Sequence, residues 1–459
     1  MSAIPVIAIF DVGKTNKKLF LFDEHYRIVY EKSARFIETI DEDGDPCENL
    51  ESLKLSVFDS LREVFKLGDF DVRAINFSTY GASFVYIGED GKPVAPLYNY
   101  LKEFPKELSE QFYKTYGGEA LLAKETSSPV LGNLNSGMQL YLLKYQKPGL
   151  FKEIKYSLHL PQYLSYLLTG KTYTDITSIG CHTGLWDFEK NDYHNWVYQE
   201  KLAEKFAPIV PSDGVLIGNA EAHGRLVGVG LHDSSAALIP YLVNFNEPFI
   251  LISTGTWCIS LNPFNHLPIT NEELENDCLC YMQYKGSPVK ASRLFAGNEH
   301  ELQVKRIASH FSVNTSILKN VEYDPAIINK LTDHSDNQIQ GSRHQSAFVA
   351  RDLNVFASHT EAYHQLMIDI MKQQYQSTSL VLKGTKVSRI FVDGGFSKNS
   401  IYMNLLAKAF PKLEVFAASM AQATAVGAAI AIHADWNKKP LPGDIVQLKY
   451  YSSPHQVFL

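Results

Sequence analysis

Apolar positions near the amino terminus come in short unbroken runs, Val6-Ile7-Ala8-Ile9-Phe10, Leu19-Phe20-Leu21-Phe22 and Ala74-Ile75-Asn76-Phe77. Each has the length of a buried strand and is too short for a helix. The pattern predicts strands at 6–10, 18–23, 26–32, 74–78 and 84–87, with a helix over 49–66 among them. From about 105 to 210 the period turns helical, with Leu140-Tyr141-Leu142-Leu143 and Tyr163-Leu164-Ser165-Tyr166-Leu167-Leu168 as apolar faces, the second stopped by Thr169-Gly170. A second strand-rich start follows at Pro248-Phe249-Ile250-Leu251-Ile252 and, after Ser253-Thr254-Gly255-Thr256, at Trp257-Cys258-Ile259-Ser260-Leu261. Strand, glycine-threonine turn, strand therefore occurs twice, as a duplicated α/β domain would show. The expected boundary lies near 245, dividing the chain into 1–245, with a helical insertion at about 105–210, and 246–459.

The first turn, Asp11-Val12-Gly13-Lys14-Thr15-Asn16-Lys17-Lys18, is chemically dense. Gly13 turns the backbone without a Cβ, Thr15 and Asn16 add donors, a lysine can reach phosphate, and Asp11 can hold a metal. Gly13-Lys14-Thr15 also imitates the end of a P-loop, but that motif needs a glycine five positions earlier, where Ala8 stands, and a helix afterwards. A strand follows instead, so the segment reads as a hairpin. The bland alternative is a solvated polar turn.

A third signal is Ser388-Arg389-Ile390-Phe391-Val392-Asp393-Gly394-Gly395, a buried strand entering a glycine pair, then Asn399 and a helix over 402–410. Such a junction lets phosphate or another ligand approach the backbone closely, although an ordinary strand-to-helix turn looks the same. Ala421 to His433 reads as an alanine-rich helix containing Gly427. Asn298-Glu299-His300-Glu301 resembles a metal cluster but lacks a spaced partner. It is better read as a helix start with Asn298 as cap.

At 459 residues the chain is long enough for two cores. A net charge of -7, with 45% hydrophobic and 20% charged residues, argues against nucleic acid or an anionic membrane as main partner and for a small molecule. Five scattered cysteines and an amino terminus without a basic segment point to reduced thiols and a cytoplasmic setting.

Together these residues resemble the FGGY carbohydrate kinases, over nearly the whole chain. The first phosphate motif of that family is similar to Asp11-x-Gly13-x-Thr15-Asn16-x-Lys18, the second to Ser253-Thr254-Gly255-Thr256-Trp257, and the adenosine motif to Asp393-Gly394-Gly395. Leu231-His232-Asp233-Ser234-Ser235-Ala236-Ala237 resembles the segment of the catalytic aspartate.

The resemblance implies the duplicated ribonuclease-H-like fold shared with actin and the heat-shock chaperones, with the active site in an interdomain cleft. It also implies ATP and Mg2+ as cofactors and a small-molecule sugar as partner. Asp233 would be the general base, Asp11 the metal ligand, and Gly13, Thr15, Asn16, Lys18, Gly255, Thr256, Gly394, Gly395 and Asn399 the nucleotide site. Thr79, Tyr80, Gly81, Tyr98 and Gln162, with Asn99 and Asp233, would line the sugar pocket, whose polyol needs amide and hydroxyl partners over an aromatic floor. Asp233 also reads as an N-cap for Ser234-Ser235-Ala236-Ala237-Leu238, and capping would fix the base.

Within the family, Ser253 to Trp257, Ile269-Thr270-Asn271, Asn135 to Leu140 and Thr79-Tyr80-Gly81-Ala82-Ser83 are most similar to the branch acting on L-rhamnulose. Tyr80 where tryptophan is usual, Ser83 where a carboxylate often sits, and Gln422 in the late helix depart from the pattern. L-Fuculose, L-xylulose, ribulose and gluconate stay open as substrates, as do a homodimer and a non-catalytic ATP-binding role.

Overall fold

The computed structural model describes residues 3–14, 16–34, 38–333, 345–420 and 422–452. Its frame is a pair of seven-stranded sheets. The first holds β1 (Ile4–Val12), β2 (Lys17–Asp23), β3 (Ile28–Ala34), β4 (Phe70–Thr79), β5 (Val215–Ile217), β6 (Leu226–Gly228) and β7 (Leu231–His232). The second holds β8 (Phe249–Thr254), β9 (Cys258–Asn262), β10 (Cys278–Met282), β11 (Pro288–Leu294), β12 (Arg389–Gly394), β13 (Glu414–Ser419) and β14 (Gln447–Tyr451).

The duplication expected from sequence is visible in the pairing. The central strand β1 is antiparallel to β2, which is antiparallel to β3, while β1 and β4, and β4 and β6, are parallel. Around β8 the same senses recur: β8 with β9 and β9 with β11 antiparallel, β8 with β12 and β12 with β13 parallel.

Strand alternation gives each sheet two buried faces. Val6, Ala8 and Phe10 enter one core with helix α1 (Leu50–Lys66), and Ile7 and Ile9 enter the opposite one. In the second sheet Ile250 and Ile252 face a core with helix α4 (His359–Leu382), while Phe249 and Leu251 face Leu238 and Tyr241 of helix α2 (Asp233–Asn244). Each such side chain contributes roughly 1.5–3 kcal/mol of burial.

The halves are interlocked through two helices. Helix α2 follows the first sheet yet packs its Leu238 and Tyr241 on the second. Helix α6 (Ala423–Ala431) follows the second sheet yet packs on Ile7, Ile9, Phe20 and Phe22 of the first. They cross where a Cβ on Gly427 would collide with the Ala236 carbonyl oxygen, so glycine is required there. Asn76 completes the tie: its Nδ2 donates to the Ala428 carbonyl at 2.8 Å, and its Oδ1 accepts from the Gly230 amide at 3.1 Å.

Three local expectations are corrected. Helix α3 runs Ala296–His310, so Asn298 and Glu301 lie within it and Phe295 occupies the cap position. Helix α2 begins at Asp233 itself, with His232 at the cap, because the aspartate carboxylate takes the adjacent Ser234 amide at 2.6 Å. The stretch 105–210 is mostly helical, but Tyr156–His159 is a strand paired with Phe84–Ile87. Gly170 does stop its helix as expected, in the left-handed conformation at φ 66°. No helix among the described residues is long and apolar enough to cross a membrane.

Candidate active site

The end of β4 lies between the end of β1, with Thr79 against Val12, and β7, with Thr79 against His232, which leads into α2. Asp11 sits one residue before the end of β1, opposite Lys18 on β2 and beside Ser78 on β4. Directly opposed residues of an antiparallel pair share a face, and successive residues alternate. Lys18 therefore lies on the Asp11 side and Lys17 on the other.

The ion pairs follow this division. Lys17 and Lys14 reach Glu48 at 3.0 and 3.7 Å, and Lys14 also reaches Glu38 at 3.3 Å, whereas Lys18 meets the more exposed Glu31 at 2.7 Å. Gly13 closes the turn by donating to the Asn16 carbonyl at 2.9 Å, and the Asn16 side chain is exposed. Thr15 lies outside the described residues.

Asp11 takes a hydrogen bond from Thr424 Oγ1 at 2.9 Å, so a residue of the second half touches this carboxylate. Burial pushes the Asp11 carboxyl up to about 6, and the charge of Asp233 raises it further against the opposing Thr424 hydrogen bond and Lys18. Asp233 is also raised to about 6 by burial, against the hydrogen bonds from Ser234. A third of its side chain remains open to the cleft. Its place in the first turn of α2 favours the ionised form, because the helix presents unpaired amides there. Two carboxylates that sense each other in one cleft can divide metal binding and proton acceptance between them.

His232 stands beside Asp233, Nε2 to Asp233 Oδ1 being 3.3 Å. Gly81 explains why it fits: a Cβ there would lie 2.8 Å from the His232 ring and 3.2 Å from Cys181 Sγ. Tyr281 of β10 stacks on His232 at 5.6 Å, bringing the second sheet to this wall. Burial raises the Tyr100 hydroxyl, and the charges of Asp233 and Glu48 raise it further. Tyr80 lies next to Tyr100 at 5.9 Å.

The other expected sugar residues are more withdrawn. Thr79 is fully buried and donates to the Tyr80 carbonyl at 2.9 Å. Gln162, 2% exposed, donates to the Gly230 and Val229 carbonyls at 2.9 and 3.3 Å, supporting the segment that leads into Asp233. Tyr98 gives its hydroxyl to Glu42 and carries the Lys102 and Lys147 ammonium groups 5.8 and 5.4 Å from its ring. Together with Asn99 it lines a hollow beside those lysines and Gln139. Sequence reasoning missed Thr424, Tyr100 and Tyr281 and assigned His232 no part. Only His232 carried a signal, through its adjacency to Asp233.

On the opposite wall, Thr254 Oγ1 donates to the Asp393 carbonyl at 2.5 Å and accepts from the Phe396 amide at 3.0 Å, lacing the two glycine turns together. The turn Gly255–Trp257 closes through the Gly255 amide and the Trp257 carbonyl at 2.8 Å, and the Asn298 amide of α3 reaches the Thr256 carbonyl at 3.1 Å. The glycine pair has divided roles. Gly394 has φ 90°, and a Cβ on it would strike the Thr254 carbonyl, whereas nothing lies within 4 Å of a Cβ built on Gly395 or Gly255. Those two open glycines leave backbone bare to an incoming phosphate. Asn399 caps the helix α5 (Ser400–Ala409), accepting from the Tyr402 amide at 3.0 Å and donating to the Tyr363 hydroxyl at 2.8 Å. Glu299 is bound to Ser346 and Glu301 to Lys305, which leaves no metal cluster at 298–301.

Comparison with known proteins agrees with this architecture. The N-terminal domain model of the FGGY family of carbohydrate kinases matches residues 6–225, and the FGGY C-terminal domain model matches 246–440. The rhamnulokinase of Mannheimia succiniciproducens is 24% identical over 263 residues, 55% of this chain and 52% of that protein. The rhamnulokinase of Halalkalibacterium halodurans is 26% identical over 269 residues, 56% of this chain and 54% of that protein. The matches thus span about half the length of these curated relatives. A carbohydrate kinase from Novosphingobium aromaticivorans superposes with a TM-score of 0.81 at 23% identity, covering 98% of this chain and 94% of that one. With both domain models matched in order on either side of the Asp233 helix, the chain belongs to the FGGY family of carbohydrate kinases.

Proposed function

We propose that this protein transfers the γ-phosphate of ATP to a hydroxyl of a ketose sugar, with L-rhamnulose or a related deoxyketose as the leading acceptor. The observation that carries the reading is the pair Asp11 and Asp233, both raised to about 6 in one cleft whose facing turns expose bare glycine backbone. In this reading residues 1–245 hold mainly the sugar and 246–459 mainly the nucleotide. The distant likeness to rhamnulokinases supports the choice of sugar.

Asp233 accepts the proton of the sugar hydroxyl as its oxygen attacks the γ-phosphorus, and His232 at 3.3 Å holds the carboxylate in place. Asp11 fits a hard divalent cation, being a carboxylate held by a single hydroxyl donor, Thr424. Mg2+ there would neutralise the charge of the phosphates. Lys18, the Gly13 to Asn16 turn including Thr15, and Thr256 are assigned to the phosphates. Gly255, Gly394 and Gly395 supply close backbone, and Asn399 sets the helix beside the nucleotide. Closure of the halves about the α2 and α6 crossing would exclude water.

The test is a coupled ADP-release assay over a panel of ketoses and polyols. L-Rhamnulose is expected to give the highest kcat/KM. Turnover that no sugar stimulates would overturn the reading.

A further inference from the structure

Beside Asp233 lies a cluster of which the proposed transfer uses only His232, and that as a positioning group. Cys181, His182 and His232 each offer a ligand atom, and these atoms lie within 4.8 Å of one another. His182 Nδ1 is 3.0 Å from the Leu134 carbonyl, which can only accept, so Nδ1 carries the hydrogen and Nε2 keeps its lone pair. This carbonyl-anchored imidazole is the arrangement found behind metal-ligating histidines. Burial holds His182 near 3 and His232 near 4, and both rings are neutral at pH 7.

The missing Cβ of Gly81 leaves a small space that two of the donors face. A carbon placed there would be 2.9 Å from His232 Nε2 and 3.2 Å from Cys181 Sγ. Asp233 Oδ1, 3.3 Å from that same nitrogen, supplies an oxygen at its edge. The Arg293 guanidinium, whose charge acts on His182, is matched by Asp277 at 2.6 Å. Zinc bonds of roughly 2.0–2.3 Å require the donors to close by about an ångström, a movement within the reach of side-chain rotation.

We propose that Cys181, His182 and His232 form a site for a thiophilic divalent cation of the zinc class, with a water oxygen completing the four and Asp233 at the edge of the site. One sulfur, two nitrogens and one oxygen in a buried setting select zinc or cobalt over magnesium, which prefers oxygen alone. On binding, the Cys181 thiol releases its proton to solvent and the thiolate bonds the cation. A filled site would place a positive charge beside Asp233, weaken it as a proton acceptor and slow phosphoryl transfer. That consequence rests on the base role proposed above, whereas the site itself does not.

Cobalt chloride alone, added to the reduced full chain, is the probe. The expected result is a sulfur-to-cobalt charge-transfer band with visible bands of tetrahedral intensity, saturating at one equivalent. In Cys181→Ser the charge-transfer band should vanish and affinity fall at least tenfold, and His182→Asn should weaken binding while keeping the band. A folded wild type without the band, or a band that survives Cys181→Ser, overturns the site. In parallel, zinc with excess magnesium should slow sugar-stimulated ATP turnover, and a zinc-selective chelator should restore it. Cobalt bound as described with turnover untouched by zinc would leave the site standing and overturn its effect on Asp233.

Discussion

The two central hairpins are built alike and furnished differently. In both, the middle strand runs antiparallel to its hairpin partner and parallel to the next strand, and the turn opens on the cleft. In the first half the middle strand carries Asp11 beside Ser78, and in the second it carries Ser253 beside Asp393, so the acid has changed strands. Asp393 is consumed by the fold, taking the Tyr241 hydroxyl at 3.0 Å and the Gly394 amide at 2.7 Å. Among the described residues, Asp11 takes a side-chain hydrogen bond from Thr424 alone. One hairpin therefore presents charged side chains and the other bare backbone. The proposed binding of metal, acceptor and phosphates would draw on both.

The strongest break in this comparison should come at the carboxylates. Asp233→Ala should lower sugar-stimulated ADP release by about 10²–10⁴-fold while ATP binding, followed by fluorescence titration, persists. Asp11→Asn should slow turnover and move the magnesium titration to higher concentration, and superposable titrations would refute its metal role. Asp393→Asn should leave the magnesium dependence where it is.

Glycines test the second hairpin. Gly394→Ala should lower unfolding stability by roughly 1–3 kcal/mol or more in urea melts, given its positive φ and the Thr254 carbonyl in the way. Gly395→Ala meets no atom, so its melt should match the wild type while the KM for ATP rises.

The raised carboxyls give a pH signature with opposite signs for activity and stability. Asp233 must be ionised to accept a proton, so kcat/KM for the sugar should fall as pH drops below about 6. For stability, a folded value of about 6 against 3.8 means that the folded state holds more protons between those limits. Stability from this pair is then greatest below about 4 and is lost as pH rises through 6. In Asp233→Asn the Asp11 carboxyl should titrate lower, since a repelling charge is gone.

The smallest effects separate neighbouring lysines. Lys18→Ala should raise the KM for ATP with little change in melting. Lys17→Ala should do the reverse, because it leaves the buried Glu48 carboxylate with less compensation.

Much of the frame was legible in the residues. Val6 to Phe10 and Phe249 to Ile252 announce buried strands by hydrophobicity alone, and the repeated strand-turn-strand announces duplication. Asp11 and Asp233 were marked by motif. Thr424 was not, because it reaches Asp11 from 413 positions away and from the other half. Helix α3 starts earlier than Asn298 because the chain turns at Phe295, where no polar cap advertises a start. Tyr98 and Gln162 are expected as sugar ligands by type, and the sequence does not show that the Tyr98 hydroxyl goes to Glu42 or that Gln162 Nε2 goes to the backbone before Asp233.

The sequence by itself determined the central strands of each half, that they come in two matched sets, and which acids and glycines sit at their ends, because periodicity and backbone conformation are local properties. Only the tertiary structure decided that Lys18 and not Lys17 shares a face with Asp11, that Asp393 is spent while Asp233 stays open, and that Gly394 is obligatory while Gly395 is free. Register, desolvation and close approach arise between segments distant in the chain, and they exist only once the two halves are locked across Gly427 and Ala236.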